Sequence, residues 1–151
     1  MHRPSPAQPA PRARQDPVRT PEAALQIVDL ARSSPPREEI IAFFLDASWR
    51  GLGLILDLTD VRAPEDVLAV TEHLGRAVDE DPSDRLGDAA WMVLASIRLV
   101  DHDVLDDVDL WQRVSDLADA YGVPVVEWFV LGPSGTFCPR DILGEPHRWP
   151  S

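Results

Sequence analysis

Residues 89–131 read AAWMVLASIRLVDHDVLDDVDLWQRVSDLADAYGVPVVEWFVL, and they set the fold class. Trp91, Met92, Val93, Leu94, Ala95 and Ile97 give residues 89–99 a short apolar run, the length of a buried strand. From Val108 to Tyr121 the period changes. Leu110, Trp111, Val114, Leu117 and Ala118 fall on one side of a helix, and Gly122 stops it. Residues 123–131 are again continuously apolar, interrupted only by Glu127, and read as another strand. Strand, helix and strand in that order imply helices packed on a sheet.

The flanks extend the pattern. Upstream, Thr20 is a helix N-cap with Pro21 at the first helical position, and Leu25, Val28 and Leu30 carry an apolar stripe to about Arg32. Ser33 to Pro36 ends that helix. Residues 40–45 read as a buried strand, 46–51 as a turn, and 52–58 as the second arm of a hairpin. A helix is expected over residues 64–76, starting at Pro64, and a polar loop over 78–88. Downstream, Gly132-Pro133-Ser134-Gly135 is a turn, and residues 136–138 suit a short final strand. The expected fold is α/β (α+β), a mixed sheet with flanking helices in the order α-β-β-α-β-α-β. Three regions are expected: a disordered Pro/Arg-rich tail over 1–19, a domain over 20–144, and a C-terminal tail over 145–151.

The chain has 151 residues, which suits one domain, and 44% of them are apolar, enough for a core. Fourteen basic residues face 26 acidic ones, a formal charge of -12. That balance disfavours direct nucleic-acid binding and an anionic membrane surface. All the basic residues are arginine, as in a protein from a GC-rich bacterial genome. No apolar run approaches the ~18 residues of a membrane span, and the N-terminus lacks the apolar core of a secretory signal, so a cytoplasmic protein is expected. The lone Cys138 excludes an internal disulfide and a multi-cysteine zinc site, and without a matching histidine motif it reads as a packing residue. His73 reads as a helix residue, and His2 and His147 as tail residues. Glu127 shares a face with Val125 and Phe129 in a strict two-residue alternation, so burial would demand an arginine partner. Trp49 and Trp149 are candidate exposed anchors for a partner. No P-loop, dinucleotide fingerprint or nucleophile elbow occurs.

The residues in this order resemble the RadC-type branch of the JAB/MPN (JAMM) metalloprotease family. The resemblance rests on Thr20-Pro21-Glu22-Ala23-Ala24 at the opening, Phe43-Phe44-Leu45-Asp46 followed by Arg50, Val93-Leu94-Ala95 before the family's metal motif, and residues 122–132 at the last helix end and strand. The resemblance implies a JAB/MPN-like sheet. It also implies a His-x-His pair, seven residues, then Ser-x-x-Asp, with a glutamate base on an earlier strand. Two histidines and an aspartate would hold zinc with an open position for water. Laid on this chain without a gap, the histidines fall on Ser96 and Arg98, the serine on Asp106 and the aspartate on Asp109. The strand of residues 51–56, where the base would sit, has no carboxylate before Asp57.

Three readings follow. In the first, the metal site is degenerate at Ser96, Arg98, Asp106 and Asp109, no cofactor is bound, and Arg98 pairs with Asp109. The protein then acts as an inactive interaction or regulatory domain for a protein partner, through the basic tail, the 78–88 loop or the acidic 101–109 segment. In the second, a metal-dependent hydrolase uses a rebuilt zinc site of Asp57, His102, Asp106 and Asp109. In the third, suggested by the family's link to repair, it is an accessory protein in DNA repair. The plainer reading of Asp106, Asp107 and Asp109 is carboxylates stabilising a helix N-terminus.

Overall fold

The computed structural model describes residues 9–61, 63–80 and 86–150. The expected mixed sheet with flanking helices is present. The helices are α1 (Pro21–Ala31), α2 (Asp66–Glu80), α3 (Val104–Ala120) and α4 (Pro139–Leu143). The strands are β1 (Glu39–Leu45), β2 (Gly51–Leu58), β3 (Trp91–Ile97), β4 (Val125–Gly132) and β5 (Gly135–Phe137), and they lie in the order β2-β1-β3-β4-β5. β1 is antiparallel to β2 and β3, β3 is parallel to β4, and β5 folds back antiparallel on β4. The parallel pair needs a crossover, and α3 supplies it.

Both faces of the sheet are covered, which explains why β1, β3 and β4 are mostly apolar, with Glu39, Ser96 and Glu127 the exceptions. Ile40, Ala42, Phe44, Met92 and Leu94 pack under α2 and α3. Ile41, Phe43, Leu45, Val93 and Ala95 pack under α1. The close approach of α2 to α3 depends on Gly75, since a Cβ there would stand 2.5 Å from the Tyr121 ring. Gly122 turns the chain out of α3 at φ 78°, and Pro124 prevents the helix from resuming.

Several boundaries differ from expectation. α3 starts at Val104, not Val108, because the Asp103 carboxylate accepts the Leu105 N–H at 2.9 Å and caps the helix. α2 runs to Glu80, so residues 78–80 of the expected loop are helical, while residues 81–85 of that loop lie outside the described residues. The short α4 was not anticipated.

Both expected tails carry defined contacts. Residues 1–8 lie outside the described residues, but Arg14 N donates to Gly51 O at 2.9 Å, Val18 N donates to Trp49 O, and the Val18 side chain is fully buried. At the other end, Arg148 donates to the Val125 carbonyl at 2.8 Å and to Ser115 Oγ at 2.8 Å. Trp149 is buried, not an exposed anchor, and lies 6.1 Å from Trp49, which stacks on Trp91. Among the described residues, an apolar anchor and a few long-range hydrogen bonds tie residues 14–18 and 148–149 to the domain.

Candidate functional site

The site is built where β3 ends and α3 begins. Met92 and Leu94 face the α2–α3 side, so the two-residue period of a strand aims Ser96 and Arg98 the same way. Ser96 Oγ accepts the Trp128 indole N–H at 2.9 Å and is thereby occupied in a buried hydrogen bond. The Arg98 guanidinium grips Asp107 with two parallel bonds, Nη1 to Oδ2 and Nη2 to Oδ1, both 2.7 Å. The two side chains are 5% and 0% exposed, so this is a buried, bidentate ion pair.

Asp107, not Asp109, is therefore the partner of Arg98. The reason is helix phase. With α3 starting at Val104, Asp107 continues the buried stripe of Leu110, Trp111, Val114 and Ala118 at three- and four-residue spacing. Asp106 and Asp109 are exposed on α3, Asp106 in its first turn, where a carboxylate suits the helix dipole.

The rebuilt site of Asp57, His102, Asp106 and Asp109 is not brought together. Asp57 lies on β2, with β1 between it and β3, opposite Ile41. Its carboxyl meets that of Glu39, and His102 is exposed on the loop after β3. Among the described residues no three His, Cys, Asp or Glu side chains group to hold a metal. The scattered donors of that reading do not fit a zinc ion. Nor do the positions aligned with the family's histidines, since Arg98 is a permanent cation without a lone pair and Ser96 offers a weak, already committed hydroxyl.

Two clefts flank Arg98 and His102. One, of about 290 Å³, is lined by Glu38, Glu39, Ser96 and Val100; the other, of about 270 Å³, by Asp101, Val104, Ser134 and Phe137. Glu38 was missed from the sequence. It holds the loop after β3, its carboxylate accepting the Leu99 N–H at 2.9 Å. The acidic groups at this end of the sheet are Glu38 and Glu39 at the start of β1 and Asp57 near the end of β2, and none lies on residues 51–56 of β2. The signal was the Glu38-Glu39 pair directly ahead of an apolar run. Asp101 closes the other cleft by accepting hydrogen bonds from Ser134 N and Oγ, and Gly132 leaves room for it.

Glu39 is fully buried. Burial works against its charge, yet Ser33 N and Oγ each donate to it at 2.7 Å and hold its carboxyl below the ordinary range. Asp57 moves the opposite way, raised by desolvation and by the neighbouring Glu39 carboxylate. A second buried ion pair joins Glu127 to Arg140 of α4 at 3.0 Å, and the Trp149 indole N–H donates to Glu127 at 3.1 Å. The expected arginine partner is thus present. Glu127 shares the α1 face with Phe129 but not with Val125, because the β3–β4 register shifts between Met92 and Val93. Beside this pair, burial and the Glu127 carboxylate push the Cys138 thiol up to about 12.

Among the described residues no helix is long and apolar enough to cross a membrane. No protein-family model matches the chain, and no curated protein matches it.

Proposed function

We propose that this chain is a divergent RadC-type JAB/MPN domain in which an ion pair stands in the place of a metal. It works as a protein-interaction or regulatory domain in the cytoplasm, without hydrolase activity. A fold carries no activity by itself, so the reading rests on the site. The observation that supports it most is Arg98, at the position where the resemblance expects the second histidine. It is buried, aimed towards α3 and neutralised by Asp107. A guanidinium there repels a divalent ion and cannot ligate one.

The surface around the pair suits a protein partner. Among the described residues, Leu99, Val100, Val104 and Leu105 are four of the eight exposed large hydrophobic ones, all within seven positions, with Asp101 and Asp103 between them and Asp106 next to them. Such an apolar cluster at a cleft marks an interaction site.

The test is metal content by elemental mass spectrometry on protein purified without chelator or histidine tag. The expected result is far less than one ion per chain, with no change in thermal unfolding on adding EDTA. Near-stoichiometric zinc or manganese, with EDTA lowering the midpoint, would overturn the reading and direct attention to peptide and isopeptide hydrolysis.

A further inference from the structure

β2 is an outer strand of the sheet, and half of its free edge is undefended. An edge strand exposes backbone N–H and C=O groups that template another strand, and proteins usually block this with prolines, bulges or charges. From Ile55 to Leu58 the pairing with β1 is regular, and Asp57 is the one charge in Leu54-Ile55-Leu56-Asp57-Leu58. No described strand lies on the outer side of these residues. Only the start of β2 is covered at its edge, where Arg14 N bonds Gly51 O; Ala13 Cβ stands against the face of Gly53, 3.6 Å from where a Cβ on it would be. On the α1 side, Ile55 is 47% exposed and Leu30 is 76% exposed, and both line one apolar cavity of about 150 Å³.

We propose that a second copy of this chain occupies this edge, β2 pairing antiparallel with β2 about a two-fold axis at Ile55. In that register Ile55 meets Ile55 of the second copy, Leu54 meets Leu56, and Asp57 meets Gly53. Leucines at positions 52, 54, 56 and 58 make one face of the strand self-complementary. The charges agree as well. Asp57 and Glu39 put two carboxyl groups side by side, with Arg37 3.8 Å from Glu39. The register carries Asp57 to the segment beside Gly53 on the second copy, which bears Arg14. Arg14 is exposed and, among the described residues, its side chain has no hydrogen bond or ion pair. Each copy's acidic spot therefore meets the other's unpaired arginine. The chain's own leader is a poorer occupant, because Pro4, Pro6 and Pro9 have no N–H to give to a ladder. The interface is independent of the chemistry proposed for the cleft, so metal content does not bear on it.

Sedimentation velocity of the full chain over a concentration series tests the proposal. The expected result is a monomer–dimer equilibrium approaching twice 16.7 kDa. Ile55→Lys places two cations at the axis and raises the dissociation constant at least ~10-fold, since like charges directly opposite each other destabilise a strand pair. Arg14→Glu weakens the dimer, Arg14→Glu with Asp57→Arg restores it, and Leu105→Glu at the cleft leaves it unchanged. If Ile55→Lys does not fold, the charge-swap pair decides. A monomer at every concentration overturns the proposal. So does a dimer that appears only after residues 1–8 are removed, or one indifferent to both Ile55→Lys and the charge swap.

Discussion

Replacing Asp107 with alanine removes one side of the ion pair at the end of β3 and leaves the Arg98 guanidinium buried without a counter-charge. Two 2.7 Å bonds are lost at once, between side chains 5% and 0% exposed. Water cannot reach in to replace the carboxylate without disturbing the packing of α3. Breaking a buried pair this way costs about 3–5 kcal/mol, a large share of the roughly 5–15 kcal/mol that holds a domain together. In a chain of this size that lowers the thermal midpoint by about 6–20 °C. Asp109→Ala, at an exposed position two residues on, changes stability by no more than ~0.5 kcal/mol. The double change Arg98→Met with Asp107→Leu returns stability to within about 1 kcal/mol of the parent or above it, because removing both charges also removes their desolvation cost. Urea unfolding followed by tryptophan fluorescence measures all three. An Asp109→Ala loss as large as that of Asp107→Ala, or an Asp107→Ala loss below ~1 kcal/mol, would refute the assignment of the partner and the phase of α3.

Three further outcomes follow from the other buried groups. The Asp57 carboxyl is raised in the fold, so the native state holds its proton longer than the unfolded chain does; its cost to stability grows as pH rises through the carboxylate range and is complete at neutral pH. Asp57→Asn therefore raises the urea midpoint at neutral pH, and the gain vanishes in acid; an equal gain at every pH would contradict the pairing with Glu39. With its thiol pushed up to about 12, Cys138 reacts with iodoacetamide in the mildly alkaline range at least ~100-fold more slowly in the native protein than in urea, and equal rates would show the thiol to be neither buried nor next to Glu127. Trp149→Ala costs about 3–5 kcal/mol by emptying a buried site, whereas Trp149→Phe costs ~1–2 kcal/mol from the bond to Glu127 alone; a neutral Trp149→Ala would mean that the C-terminal segment is not docked.

The sheet strands were legible because a strand buried on both faces is apolar along most of its length, and β1, β3 and β4 are, each with a single polar side chain that finds a buried partner. The far end of α3 was legible for a similar reason, with a stripe that ends at Ala118 and a glycine at 122. Its start was hidden among Asp101, Asp103, Asp106, Asp107 and Asp109, any of which could cap a helix. Once Asp103 is the cap, Asp107 falls into the stripe three residues ahead of Leu110. Extending the stripe backwards from Leu110 would have pointed to it.

What periodicity, proline and glycine placement fix locally, the sequence determined on its own: a mixed sheet with flanking helices, the hairpin of β1 and β2, and the need of Glu127 for a cation. The tertiary structure alone decided which charges meet. Arg98 takes Asp107, Glu127 takes Arg140, and Glu39 lies against Asp57, each choice set by a helix phase, a strand register or a docked terminal segment. Secondary structure depends on neighbours a few positions away, whereas the energy of a buried charge depends on the one group that the whole fold brings within hydrogen-bond distance.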